Sequence, residues 1–327
     1  MNAIARALLA SLAALLAGSA VAGGGEFQLF VENDMWAKTD RYYTNGIKFG
    51  LGTHVPLLRE QAESLLRWLS PMEGKPGGDD MKFGLFAGQN LYTPKNIRIA
   101  EPQPNDRPWA AWLYLGAVAQ RVVGSRMDTV EIDVGTVGSS AGGRQVQTEW
   151  HKLVGSPRPM GWANQIPNEP GFLASYLQKR RFGDRHFDVV PHAGATVGTV
   201  MNLVRVGGIA RAGFNMSGFG PDSIEPGGAM LQNWRNQEKS GDEFYAFVGA
   251  DQRLVGRNIF LDGTLFRASP SVERRPHVYD LTAGVSARWG IFRLSWTRIR
   301  RSEEFHTPAS GGGRQRFDSI NLGIELP

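Results

Sequence analysis

Near the start of the chain, an amide, a carboxylate and a hydroxyl bracket the join of two strand-like segments. In VENDMWAKTDRYYTNG, Asn33 and Asp34 close an apolar alternation (Phe27, Leu29, Val31) and Thr44 opens the next one. A hairpin would return all three residues to one rim. Turn chemistry accounts for Asn45-Gly46 and could also account for Asn33-Asp34, since these are ordinary turn residues. A carboxylate with amide and hydroxyl oxygens beside it would also suit a hard cation such as calcium.

A second group lies in QVQTEWHKLVG. Arg144–Val154 has helical periodicity and is ended by Gly155 and Pro157. Gln147 and His151 are at i and i+4, hence on one face. Val146, Trp150, Leu153 and Val154 form an apolar stripe beside them. Imidazole is the side chain suited to moving a proton near neutral pH, and an amide one turn away can fix its ring or share a water with it. The same spacing also serves a surface or packing histidine. Glu149 is on this helix but projects elsewhere.

Little else offers chemistry. The remaining histidines (His54, His186, His192, His277, His306) form no metal-binding pair, so a zinc site is not expected. His186 and His192 fall at even spacing in one expected strand, on one face. There is no G-x-S-x-G elbow, and Ser139 and Ser140, just before the helix, rank low as nucleophiles. The absence of cysteine excludes thiolate chemistry and disulfides.

The elements that must position these groups are strands. The first 22 residues, with Arg6, an apolar Ala7–Leu16 and Ala20-Val21-Ala22, read as a signal peptide, leaving residues 23–327 as one exported domain. Beyond it no apolar run is long enough for a membrane helix, so a membrane protein of this sequence must be a barrel. The net charge of +5 is scattered, with no basic run to suggest nucleic acid; a mild positive excess suits a phosphate-rich surface.

Alternating segments of roughly ten residues recur, with aromatic residues near their ends. Candidates are Glu26–Glu32, Tyr43–Val55, Met81–Tyr92, Trp109–Val122, Asp128–Val137, Phe172–Phe182, Phe187–Thr199, Leu203–Phe214, Glu243–Val255, Asn258–Arg267, His277–Trp289, Phe292–Arg300 and Phe317–Leu326. That odd count conflicts with the even number a bacterial single-chain barrel needs. The error is expected in the glycine-rich Phe187–Phe214. A soluble β-sandwich shares the alternation, but the exported start, the glycine content and the aromatic ends favour an all-β transmembrane antiparallel barrel. The final Pro327 does not, since such barrels often end in an aromatic residue. Two connections are long: Leu57–Asp80, with a short amphipathic helix around Leu65, Leu66, Trp68 and Leu69, and residues 138–170, which carry the histidine helix.

In order, ENDMWAKTDRYYTNGIKFGL, GQNLYTPKNI, WAAWLYLG, QVQTEWHKLVG and GWANQIPNEPG make the chain resemble the outer-membrane lipid A 3′-O-deacylase family. The resemblance is strongest from Phe27 to Gly171. It implies twelve strands in the bacterial outer membrane and a site between the barrel wall and a helix of an extracellular loop. It also implies calcium-dependent ester hydrolysis, with lipid A of lipopolysaccharide as substrate. Carried over, the family's histidine and glutamine match His151 and Gln147, its Asn-Asp pair matches Asn33 and Asp34, and its threonine or serine matches Thr44. Lys82, Lys95 and Arg98 are candidates for its basic substrate-binding residues, and Glu169 for a further acidic residue that would join Asp34 on the metal. Two other functions fit the sequence: a phospholipase of the same chemistry, or a non-catalytic porin or adhesion barrel with the helix as plug. Nothing calls for dimerisation, so a monomer is expected.

Overall fold

Alternation with a period of two becomes twelve long antiparallel strands in the computed structural model, which describes residues 25–35, 41–53, 59–69, 81–223, 241–308 and 313–326. The strands are β1 (Gly25–Asn33), β2 (Tyr42–Thr53), β3 (Met81–Thr93), β4 (Ala110–Val123), β5 (Arg126–Val137) and β6 (Glu169–Arg180), followed by β7 (Phe187–Gly198), β8 (Met201–Phe214), β9 (Glu243–Asn258), β10 (His277–Trp289), β11 (Phe292–Arg301) and β12 (Gln315–Leu326). Each pairs with the next, and β1 pairs with β12 from Gly25↔Leu326 to Asn33↔Asp318, so the sheet closes on itself. A two-residue strand, Phe182–Gly183, extends the β6–β7 hairpin without crossing the barrel. The expected signal peptide and Pro327 lie outside the described residues.

The even count resolves the odd segment. Phe187–Phe214 holds two genuine strands, β7 and β8, contrary to where the error was expected. The segment that is not a strand is Asn258–Arg267. Asn258 ends β9 and caps a single-turn helix, α3 (Ile259–Asp262), its Oδ1 accepting the Phe260 N–H at 3.0 Å. Ile259, Phe260 and Leu261 are all buried, so this apolar run marks a packed turn rather than one face of a strand.

The alternation sorts residues between two surroundings. Leu85, Leu115, Ile132, Val134, Val204, Val206, Val248, Leu281 and Leu294 stand exposed on the outer wall, the apolar band a bilayer requires. The alternate positions carry charge into the interior, where it is paired, as burial demands. Lys48 meets Glu131 at 2.8 Å, Arg211 meets Asp188 at 2.6 Å and Arg253 meets Asp280 at 2.8 Å. The β8–β9 connection also enters this space. Its Asp222 pairs with Lys179 at 3.1 Å and Arg205 at 3.3 Å, and Ser223 Oγ donates to Glu32 at 3.2 Å. The interior is therefore occupied by side chains and a chain segment from the end opposite the histidine helix. No helix among the described residues is long and apolar enough to span a membrane.

Two further helices lie on the wall. Helix α1 (Arg59–Leu69) falls where the sequence places it and buries Leu66 against Met81 and Phe83, with Ala119 and Val130 alongside. Helix α2 (Gly143–Val154) lies at the other end of the barrel and closes on Gly155 in the left-handed conformation, as expected.

Candidate functional site

The rim of β1–β2–β3 carries the first half of the site. On β1 the outward positions are Phe27, Leu29 and Val31, and Asn33 continues that side. The β2–β3 ladder pairs Tyr43 with Tyr92 and Asn45 with Leu91, leaving Thr44 as the extra residue of a bulge. Tyr43 faces inward, its hydroxyl donating to Glu32 Oε2 and accepting from Asn90, each at 2.8 Å. Thr44 turns outward, where its Oγ1 lies 2.7 Å from Thr93 Oγ1. Bulges re-aim a side chain in just this way. Asn33 Oδ1 accepts the Met35 N–H at 2.7 Å, and Asp34 Oδ2 accepts the Arg41 N–H at 2.6 Å. Asn33, Asp34, Thr44 and Thr93 are all buried.

Helix α2 covers the adjoining outer wall with its polar face inward. Gln147 and His151 are 2% and 5% exposed, whereas Val146, Trp150 and Leu153 are 42%, 43% and 77% exposed. The apolar stripe faces away from the protein, and the buried pair is the amide and the imidazole. In water, each exposed aliphatic side chain of this stripe would forgo roughly 1.5–3 kcal/mol of burial; in lipid it forgoes nothing. Contact with the wall is close. Gln89 of β3 donates to the Ala141 carbonyl at 2.6 Å. A Cβ at Gly143 would stand 2.6 Å from Ala111 Cβ and from the Trp162 ring. Leu91, Ile97, Trp109, Ala111, Ala141 and Trp162 form the apolar seam between helix and barrel.

Within this seam the polar pair is held. Trp162 Nε1 donates to Gln147 Oε1 at 2.7 Å, and Trp162 packs on Trp109 with ring centroids 5.0 Å apart. His151 Nδ1 lies 2.5 Å from the Pro157 carbonyl. A carbonyl only accepts, so Nδ1 carries the proton and Nε2 is the basic nitrogen of the neutral ring. That is the tautomer a general base acting through Nε2 requires. Outward-facing Gln89, Leu91 and Thr93 run along β3 from beneath α2 to the Thr44 bulge, linking the two halves on one side of the wall.

The other expected residues divide. Lys95 and Arg98 lie in the β3–β4 connection at this rim, half-buried and exposed respectively. That loop is pinned by Asp106, whose carboxylate accepts the N–H groups of Lys95 and Arg107 at 2.8 Å each. Burial raises the Asp106 carboxyl above its ordinary value, and these two hydrogen bonds partly oppose the shift. Lys82 is not at the site. It opens β3 at the far end and points inward, where it pairs with Glu26 at 2.9 Å. Glu169 opens β6 at the correct rim, but its carboxylate accepts the N–H groups of Leu265 and Phe266 at 2.9–3.1 Å, which ties it to the β9–β10 loop rather than to Asp34.

Glu149 pairs with Lys152 on the exposed face of α2. Ser139 and Ser140 bond Asn168. His192 contacts Asp251 inside the barrel, and His186 lies in the hairpin before β7 rather than on its face. Sequence reasoning missed Gln89, Thr93 and Trp162 as parts of the site, although the spacing of two between Gln89, Leu91 and Thr93 in GQNLYTPKNI carries the signal for two of them.

Among the described residues, no three histidine, cysteine, aspartate or glutamate side chains are grouped so as to hold a metal ion. The donors at the rim are one carboxylate (Asp34), one amide (Asn33) and two hydroxyls (Thr44, Thr93). All are oxygens, a set that fits a hard cation completed by backbone carbonyls and water.

A closed barrel with an apolar belt, and a cluster of polar side chains clamped between its outer wall and a rim helix, defines a membrane-embedded protein. The chain belongs to the family of the outer membrane protein LpxR, whose model matches residues 4–326, and it resides in the outer membrane. Among solved structures it is similar to LpxR from Salmonella typhimurium, with 19% identity and a TM-score of 0.71 over 91% of this chain and 99% of that one. A weaker likeness, 13% identical with a TM-score of 0.40, covers 93% of this chain and 98% of the β domain of the Bordetella autotransporter BrkA. No curated protein sequence matches the chain.

Proposed function

We propose that this protein is a lipid A 3′-O-deacylase that hydrolyses the ester of the 3′-linked acyl or acyloxyacyl group from within the plane of the outer membrane. The observation that carries the reading is the orientation of α2, with Gln147 and His151 against the outer wall and the apolar stripe toward lipid. An enzyme acting on a water-soluble ester has no need of such a helix, whereas one acting on a lipid must meet its substrate at the barrel's side.

His151, with Nδ1 committed to the Pro157 carbonyl, takes a proton from water at Nε2. Gln147, fixed by Trp162, orients that water. Asp34, with the neutral oxygens of Asn33 and Thr44, would hold calcium, which when bound supplies positive charge to the ester oxygen as it becomes an oxyanion. Lys95 and Arg98 stand where anionic headgroup phosphate would reach them. The apolar wall and the exposed residues of α2 leave the acyl chain in hydrocarbon throughout.

The test is an assay of solubilised membranes on lipid A and on glycerophospholipid, with calcium and with a chelator. The reading expects release of a 3′-linked acyl group from lipid A, abolished by chelation. Release from glycerophospholipid alone would transfer the same chemistry to a phospholipase.

A further inference from the structure

We infer that Gln315 and Glu304, inside the barrel mouth and out of contact with the reacting groups, are positioning residues for the hydrolysis proposed above, on which this inference rests. They hold both halves of the site from the opposite side of the wall.

The chain around Thr44 needs such a hold. Tyr42 has φ 72°, a left-handed conformation that a bulky residue adopts only when its surroundings fix it. The bulge follows immediately. Tyr42 is fixed by burial, its ring edge-on to Phe305 with centroids 5.1 Å apart. The next amide is fixed by a side chain from another strand, since Tyr43 N–H donates to Gln315 Oε1 at 2.7 Å. That amide is aimed in turn, because Gln315 Nε2 donates to Glu304 Oε2 at 2.5 Å.

Glu304 then reaches the other half. Its Oε2 accepts from Arg107 Nη1 at 3.2 Å, and its Oε1 stands 3.5 Å from Arg301 Nη1. The Arg107 guanidinium lies 4.7 Å over the ring of Tyr92, the neighbour of Thr93. Two residues on from Arg107, Trp109 packs on Trp162, which holds Gln147. One buried carboxylate therefore ties the Thr44 bulge to the base of the loop beneath α2. A displacement of about 1 Å in reacting geometry can lower a rate about a hundredfold, so a network of this kind acts on rate without touching substrate.

The test uses the full-length protein in detergent. Gln315→Met keeps chain length and removes the acceptor. Amide exchange across residues 42–45 should quicken by about tenfold or more, and kcat on lipid A should fall by about tenfold to a hundredfold with KM within about twofold. Combined with Thr44→Val, the double variant should be no slower than Thr44→Val alone. Glu304→Gln should weaken the tie on the Arg107 side and lower kcat less than Gln315→Met. Unchanged exchange across residues 42–45, or losses that multiply in the double variant, would overturn the inference. Absence of acyl release by the unaltered protein is a separate result that counts against the deacylase reading, while exchange still decides whether the network holds the bulge.

Discussion

His151 and Gln147 are polar side chains buried on the outer wall of a barrel, a position where an unsatisfied group costs roughly 1–3 kcal/mol. Each has a partner chosen for direction. The Pro157 carbonyl fixes the histidine tautomer, and the Trp162 indole fixes the amide. Trp162→Phe should keep the packing on Trp109 and lose only the hydrogen bond, lowering kcat by about tenfold with little change in KM, as read in a deacylation assay.

That these two residues share a face was legible in the sequence, because an amide and an imidazole at i and i+4 fall on one side of a helix. The direction of that face was not. An apolar stripe is read as buried only when the surroundings are water, and here they are lipid. Lys82 and Glu169 went astray for a related reason. A residue's type does not say whether its strand position faces the wall's inside or outside, and Lys82, an even-numbered residue of β3, faces Glu26 in the interior.

At the scale of elements, α2 depends on its close approach to β4. Gly143 has no room for a Cβ beside Ala111 and Trp162, so Gly143→Val should displace the helix. Activity should be lost while the barrel still migrates as a folded species on unheated gels. Leu153→Asp places a charge on the exposed stripe and should reduce activity in membranes more than in detergent. The β3–β4 loop carries a pH dependence. Because burial raises the Asp106 carboxyl, its protonated form is favoured by the folded loop. That contribution is present below the ordinary carboxylate value and is lost as pH rises through the raised one. Asp106→Asn should therefore flatten the acid-range pH dependence of loop protection, measured by exchange at residues 95–107. Most strands were legible because strict alternation between lipid and interior leaves a period-two record. Asn258–Arg267 was misread because a buried one-turn helix of three apolar residues has too few positions to show its own period.

Among the described residues, the closed wall holds ion pairs in its interior, together with Asp222 and Ser223 from the start of the β8–β9 connection. Lys179, Asp222, Arg205, Asp251, Arg253 and Asp280 form one continuous chain of pairs. A porin-like pore needs an open aqueous path, and the protein reconstituted in planar bilayers should give no porin-sized conductance steps. On the proposed reading, the chemistry belongs instead to the outside of the wall, where lipid is.

The most direct test of that claim is mass spectrometry of lipid A from cells carrying the protein, its His151→Ala variant or its Asp34→Ala variant at equal membrane abundance. Loss of the mass of a 3′-linked acyl or acyloxyacyl group with the unaltered protein alone is the predicted result. Lipid A that stays intact in all three, with calcium supplied to solubilised membranes, or that is shortened equally in all three, would contradict it.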